Sequence, residues 1–202
     1  MAIGRGVSKF SVFSALFLTL AACAADASPA VETPATPAAA TTPETPATTN
    51  PTGSGETTAV TIDNTTGGTV ALKDGTTLEV PAGALPPGVE TITVTSSTTP
   101  APTEYKTVAP IYVFGPEGTV FLKPVTISFP VTVPDGISTS DLTILWSRPR
   151  GQAGFDMVPA TFTPVAGKAS AYTVSGEVNH FSEGTCGQKF AKDPHPPVDP
   201  YL

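Results

Sequence analysis

The sequence predicts an all-β protein, an antiparallel β-sandwich, on three observations. In the stretch from Pro110 to Val133, the side chains of Val125, Ile127, Phe129 and Val131 fall on one side of an extended chain, and those of Thr126, Ser128, Pro130 and Thr132 on the other. That is the period-two alternation of a half-buried strand. Short runs of the same kind recur from Thr58 onward with turn residues between them, the spacing expected of a sandwich or barrel. Finally, 23 of the 202 residues are proline and 18 are glycine, while only 13% are charged, a turn-rich composition that leaves little room for helix.

Taken in order, the chain opens with a secretory leader over residues 1–22. Arg5 and Lys9 supply its positive start, Phe10 to Leu20 its apolar middle, and small residues its end, with an apolar run too short to span a bilayer comfortably. The ending Leu20-Ala21-Ala22-Cys23 resembles the bacterial lipobox. The resemblance implies cleavage before Cys23 and acylation of its thiol and new amino group. Two or three acyl chains, at about 0.8 kcal/mol per buried methylene, anchor a protein stably where one holds it only reversibly. Ala24 and Ala25 follow the cysteine where an inner-membrane retention signal would place Asp. The expected location is therefore the cell envelope, on the outer membrane if the organism is diderm.

Residues 23–57 read as a lipidated tether. Phrases such as Pro34-Ala35-Thr36-Pro37 and Pro43-Glu44-Thr45-Pro46 carry almost no large apolar side chain, so the segment cannot bury enough surface to offset its ordering entropy and is expected to be disordered. Its reach is roughly 30 Å as a coil and up to about 100 Å as extended polyproline II.

The folded domain is expected over 58–183. Strands are predicted at 58–62, 68–72, 76–80, 89–96, 110–114, 119–122, 124–132, 142–148, 155–163 and 169–181, with Lys73-Asp74-Gly75 turning a hairpin and Gly115-Pro116-Glu117-Gly118 turning the central run. Leu142, Ile144 and Trp146 share one face, and Ile92 and Val94 another. About 125 residues folding together bury roughly two-thirds of the unfolded surface, enough for stability without disulfides. Residues 184–202 read as a flexible C-terminal tail.

Five phrases in this domain resemble a known module. They are Gly67-Gly68-Thr69-Val70, Leu78-Glu79-Val80-Pro81-Ala82-Gly83-Ala84-Leu85-Pro86, Tyr112-Val113-Phe114-Gly115-Pro116-Glu117-Gly118, Phe121-Leu122-Lys123-Pro124-Val125-Thr126 and Asn179-His180-Phe181-Ser182. Their order is similar to that of the ZU-type β-sandwich of zonula occludens proteins, Unc-type netrin receptors and ankyrins, also found in bacterial lipoproteins. Some members of that family cleave themselves between the Phe and Ser of a His-Phe-Ser triplet. The resemblance implies Ser182 as nucleophile, His180 as base and Phe181 as the residue whose carbonyl is attacked, provided that the bond is strained. The competing reading has Phe181 filling the end of the sandwich.

Other chemistry finds little support. The formal net charge is −7, and removing Arg5 and Lys9 with the leader leaves eight basic against seventeen acidic side chains. Nucleic acid is excluded as a partner, because phosphate binding needs a clustered basic surface. Asp63, Asp74, Asp135, Asp141 and Asp156 lie at strand ends without calcium-loop spacing, and His195 has no partner in sequence. No metal site, cofactor site or substrate-turnover motif is read. Cys186 is the odd cysteine once Cys23 is acylated, available for a disulfide to a second molecule. The expected function is a non-enzymatic, membrane-anchored binding or structural module with an envelope protein or the cell wall as partner. The alternatives are self-cleavage between Phe181 and Ser182, and peptidoglycan or polysaccharide binding.

Overall fold

Alternating apolar residues on successive strands require two sheets to close over one another, and that is the architecture. The computed structural model describes residues 49–149 and 152–195. The leader, Cys23 and the tether up to residue 48 lie outside the described residues. All of the described residues belong to the unit Pro46–Leu202.

Among the described residues, eleven strands form two antiparallel sheets: β1 (Thr57–Thr61), β2 (Gly68–Ala71), β3 (Thr77–Val80), β4 (Thr91–Ser96), β5 (Tyr112–Gly115), β6 (Val120–Thr132), β7 (Leu142–Ser147), β8 (Phe155–Val158), β9 (Thr161–Pro164), β10 (Ala171–His180) and β11 (Glu183–Gln188). One sheet has the order β1-β4-β5-β11-β7-β8 and the other β2-β3-β6-β10-β9. The β-sandwich expected from the alternation is present. Phe129, Ile127 and Val125 of β6 face Ile92 and Val94 of β4, Phe114 of β5 and Ile144 and Trp146 of β7 across one continuous core. Each such side chain, fully buried, contributes roughly 1.5–3 kcal/mol. Lys73-Asp74-Gly75 does turn the β2–β3 hairpin, and Leu72 N–H donates to the Thr76 carbonyl across it.

Four boundaries differ from expectation, each for a physical reason. The predicted strands 119–122 and 124–132 are one strand, β6. Pro124, which lacks an N–H, sits beyond the reach of β3 and opposite the register shift between Val178 and His180 of β10, where no regular ladder bond is lost. The predicted strand 155–163 is two, β8 and β9, which lie in different sheets on either side of Pro159-Ala160. Residues up to 57 are not all tether. The Asn50 amide nitrogen donates to the carbonyls of Ala101 (3.0 Å), Pro102 (3.0 Å) and Tyr105 (2.8 Å), while its oxygen accepts from Thr107 N–H at 3.1 Å. Nor is the segment from 184 a loose tail, since β11 lies between β5 and β7.

The β11 sequence, Glu-Gly-Thr-Cys-Gly-Gln, has poor strand propensity, and its neighbours decide its state. A Cβ at Gly184 would overlap the Trp146 ring, so only glycine lets the indole lie over the strand. Gly184→Ala is expected to cost roughly 1–3 kcal/mol through overpacking, read as a lower midpoint in urea unfolding. An unchanged midpoint would show that the indole has room to move.

Candidate functional site

The His180-Phe181-Ser182 triplet lies where the chain leaves β10 in one sheet and enters β11 in the other. Beside it, the Gly115–Thr119 turn makes the opposite crossing, from β5 to β6. The two crossings are hydrogen-bonded together: Phe181 N–H donates to the Thr119 carbonyl (2.8 Å), Gly118 N–H to the Phe181 carbonyl (3.1 Å) and Phe114 N–H to the Ser182 carbonyl (2.9 Å). Gly118 reaches this position with a φ of 78°, which glycine adopts without strain.

Phe181 is buried and packs edge-to-face on Phe121, the ring centroids 4.6 Å apart and the planes at 89°. This places it at the end of the sandwich. His180 Nε2 lies 3.3 Å from the Ser147 carbonyl, and the ring meets the Trp146 indole edge-on. Ser182 is buried to 6% exposure. The structure therefore brings the three residues together by sequence adjacency, but directs the His180 ring nitrogen to Ser147. Among the described residues, the one non-glycine φ in the left-handed region belongs to Ser170 (62°), not to the triplet. The Gly118 N–H on the Phe181 carbonyl is an oxyanion-type donor.

Cys186 is fully buried in the main core, and burial alone pushes its thiol up to about 12. The intermolecular disulfide considered for it is corrected on this ground. The sulfur faces core side chains, and the protonated thiol is a poor nucleophile.

A second cluster went unread in the sequence. Arg148 follows β7 and is 6% exposed. Its Nε donates to Asp156 at 3.0 Å, Nη1 to the carbonyls of Ala153 (2.9 Å) and His195, and Nη2 to the Asp193 carboxylate. Burial opposes its charge, but Asp156 and Asp193 outweigh that and raise its pKa. The Tyr105 hydroxyl donates to Asp193 (2.8 Å) and lies 3.3 Å from His195 Nδ1, while Glu104 is 3.6 Å from His195 Nε2. Beneath them, Tyr105, Leu145, Phe155 and Phe190 form a small core on the outer side of β7. His195, unpartnered in sequence, is thus part of a clasp that holds the C-terminal segment. The signal for it in the sequence was an arginine two residues after the apolar run Ile144-Leu145-Trp146, at the end of a strand buried from Leu142 to Trp146.

Two of the acidic turn residues, Asp63 and Asp74, hold their own turns. Asp63 accepts from Thr65 N–H and hydroxyl, and Asp74 accepts from Thr76 N–H and the buried Tyr112 hydroxyl. Asn64 pins Leu85 through both its amide groups. Among the described residues, no three His, Cys, Asp or Glu side chains converge as a metal ion requires, and no helix is long and apolar enough to cross a membrane.

No protein-family model matches the chain, and no curated protein matches it.

The clasp makes acid stability depend on Asp193. Burial pushes its carboxyl up, but the His195 N–H, the Tyr105 hydroxyl and the Arg148 guanidinium together hold it below its ordinary 3.8. A carboxyl whose folded pKa is lowered stabilises fully above its unfolded value, and the contribution is lost as pH falls through the folded one. Asp193→Asn is expected to lower stability at pH 7 by roughly 1.5–3 kcal/mol and to flatten the loss of stability below pH 4, measured by urea titration at each pH. Parallel pH profiles for the two proteins would rule out the clasp as its source.

Proposed function

We propose that the chain is an exported, lipid-anchored protein of the cell envelope that presents its β-sandwich as a binding or structural module and turns over no outside substrate. The observation that carries this reading is Leu20-Ala21-Ala22-Cys23 directly after the apolar run Phe10 to Leu20. Diacylation at that cysteine would hold the protein on a membrane. Among the described residues, contacts to the sandwich begin at Asn50, and the roughly 26 residues between it and Cys23 would reach about 80 Å if extended as polyproline II. The five phrases resembling a ZU-type domain fall on a β-sandwich, which supports that assignment, and the outer membrane is the proposed site in a diderm cell.

The Cys23 reading is tested by mass. The mature protein from its native envelope is expected to begin at Cys23 with two or three acyl chains and to partition into detergent. Cys23→Ala should retain its leader or appear unacylated in the aqueous phase. A wild-type protein that carries no acyl mass would sink the anchor.

A second reading has one specific observation in its favour, the Gly118 N–H at 3.1 Å from the Phe181 carbonyl oxygen. In it, the Ser182 hydroxyl oxygen attacks the Phe181 carbonyl carbon as its proton passes through His180 to the departing Ser182 nitrogen. The C–N bond breaks to leave an ester, and water then opens the ester to a Phe181 carboxylate and a free Ser182 amine. The cut would separate β11 from β10 without releasing it, since β11 is bonded on both sides. Denaturing intact-mass measurement decides: a fragment beginning at Ser182, absent from Ser182→Ala, supports cleavage, and one undivided chain disposes of it.

A further inference from the structure

The strand β1 closes one edge of the six-stranded sheet, with β4 its sole partner there. Its register runs from Thr57 opposite Thr95 to Thr61 opposite Thr91. Just beyond its two ends, Ser96 N–H donates to the Glu56 carbonyl (2.9 Å) and Ile62 N–H to the Glu90 carbonyl (2.7 Å). An antiparallel ladder alternates bonded and non-bonded pairs, so Glu56, Thr58, Val60 and Ile62 bond inward to β4. Thr57, Ala59 and Thr61 therefore direct their N–H and C=O groups away from the sheet. These three residues are exposed, and among the described residues no group bonds to their outward backbone.

Natural edges are blunted by charge, proline or brevity. The edge strand β8 carries Asp156, β9 ends in Pro164, and β2 is four residues long and runs on through Leu72 into Lys73 and Asp74. β1, Thr-Thr-Ala-Val-Thr, has no charge and no proline.

We propose that β1 is a self-association edge, joining two copies of this chain in antiparallel fashion about a two-fold axis through Ala59. The register closes on itself. Ala59 meets Ala59 and Thr57 meets Thr61 of the other copy, so every outward N–H and C=O faces its complement, as an isologous interface requires. The same register sets Glu56 opposite Ile62 and Asp63 opposite Gly55, so that no carboxylate meets another across the join, a condition that matters for a chain of net charge −7. Joining the two edges merges two six-stranded sheets into one continuous sheet.

Cross-linking and sedimentation of the purified full chain test this. Bonded antiparallel pairs have Cα atoms about 5.5 Å apart, within the roughly 4.4–6.8 Å that a disulfide spans. Under mild oxidation, Ala59→Cys is expected to give a covalent dimer in at least tenfold higher yield than Thr57→Cys or Thr61→Cys alone, because those two positions face each other rather than themselves. The double variant with cysteine at both 57 and 61 should cross-link again. All of these chains carry Cys23→Ala, so that the buried Cys186 is the one native thiol left and the chain without an added cysteine sets the background. In sedimentation, the wild type should run at twice the chain mass and Ala59→Lys at the single mass with an unchanged thermal melt. A monomeric wild type, a dimer that survives Ala59→Lys, or equal yields from the three single cysteines would each overturn the proposal.

Discussion

The fold depends on the place where the chain changes sheets twice at one end. The Gly115–Thr119 turn carries it from β5 to β6, and His180–Ser182 carries it back from β10 to β11. Each crossing leaves backbone groups that its own sheet cannot satisfy, and a buried unsatisfied group costs about 1–3 kcal/mol. The two crossings solve this by bonding to each other, with the Phe121–Phe181 pair closing the space beneath. Because β6 and β10 pair over most of their length and β5 and β11 are neighbours, a slip at the crossings would shift the register in both sheets at once.

The opposite requirement is met around Tyr105. The Tyr105 carbonyl receives the Asn50 amide, near the start of the described residues, and its hydroxyl holds Asp193, near their end. Residues 101–107 thereby gather Asn50 and Asp193, near the two ends of the described residues, against the small core of Leu145, Phe155 and Phe190. Burial and the Asp193 carboxylate push the Tyr105 phenol up to about 12, which favours the protonated form that donates to Asp193. The buried Arg148 is tolerable because two carboxylates and two carbonyls meet its donors.

The strands that carry alternating apolar residues were legible because the pattern itself is the cause of their placement: Val125, Ile127, Phe129 and Val131 are buried on β6 as their spacing requires. β11 was not, because its glycines are dictated by the Trp146 ring and the close approach of the 106–107 backbone, partners that lie far away in sequence. Arg148 reads as a solvated cation until Asp193, 45 residues later, is brought to it. The His180-Phe181-Ser182 triplet was visible as a motif, but where its imidazole turns is decided by the Ser147 carbonyl on β7, which spacing along the chain does not encode.

Asn50 has a mechanical consequence. In a chain held by its N-terminal region, tension travelling toward the sandwich meets Asn50 before it meets β1. Its amide nitrogen shares two N–H donors among three carbonyls of the 101–107 segment and its oxygen holds one N–H there, so the load passes into a loop backed by Tyr105. β1, an edge strand bonded on one side only, would thus be shielded from being peeled off β4 by a pull from that direction. One asparagine acts as a strain relief, much as a knot protects the solder joint at the end of a cable.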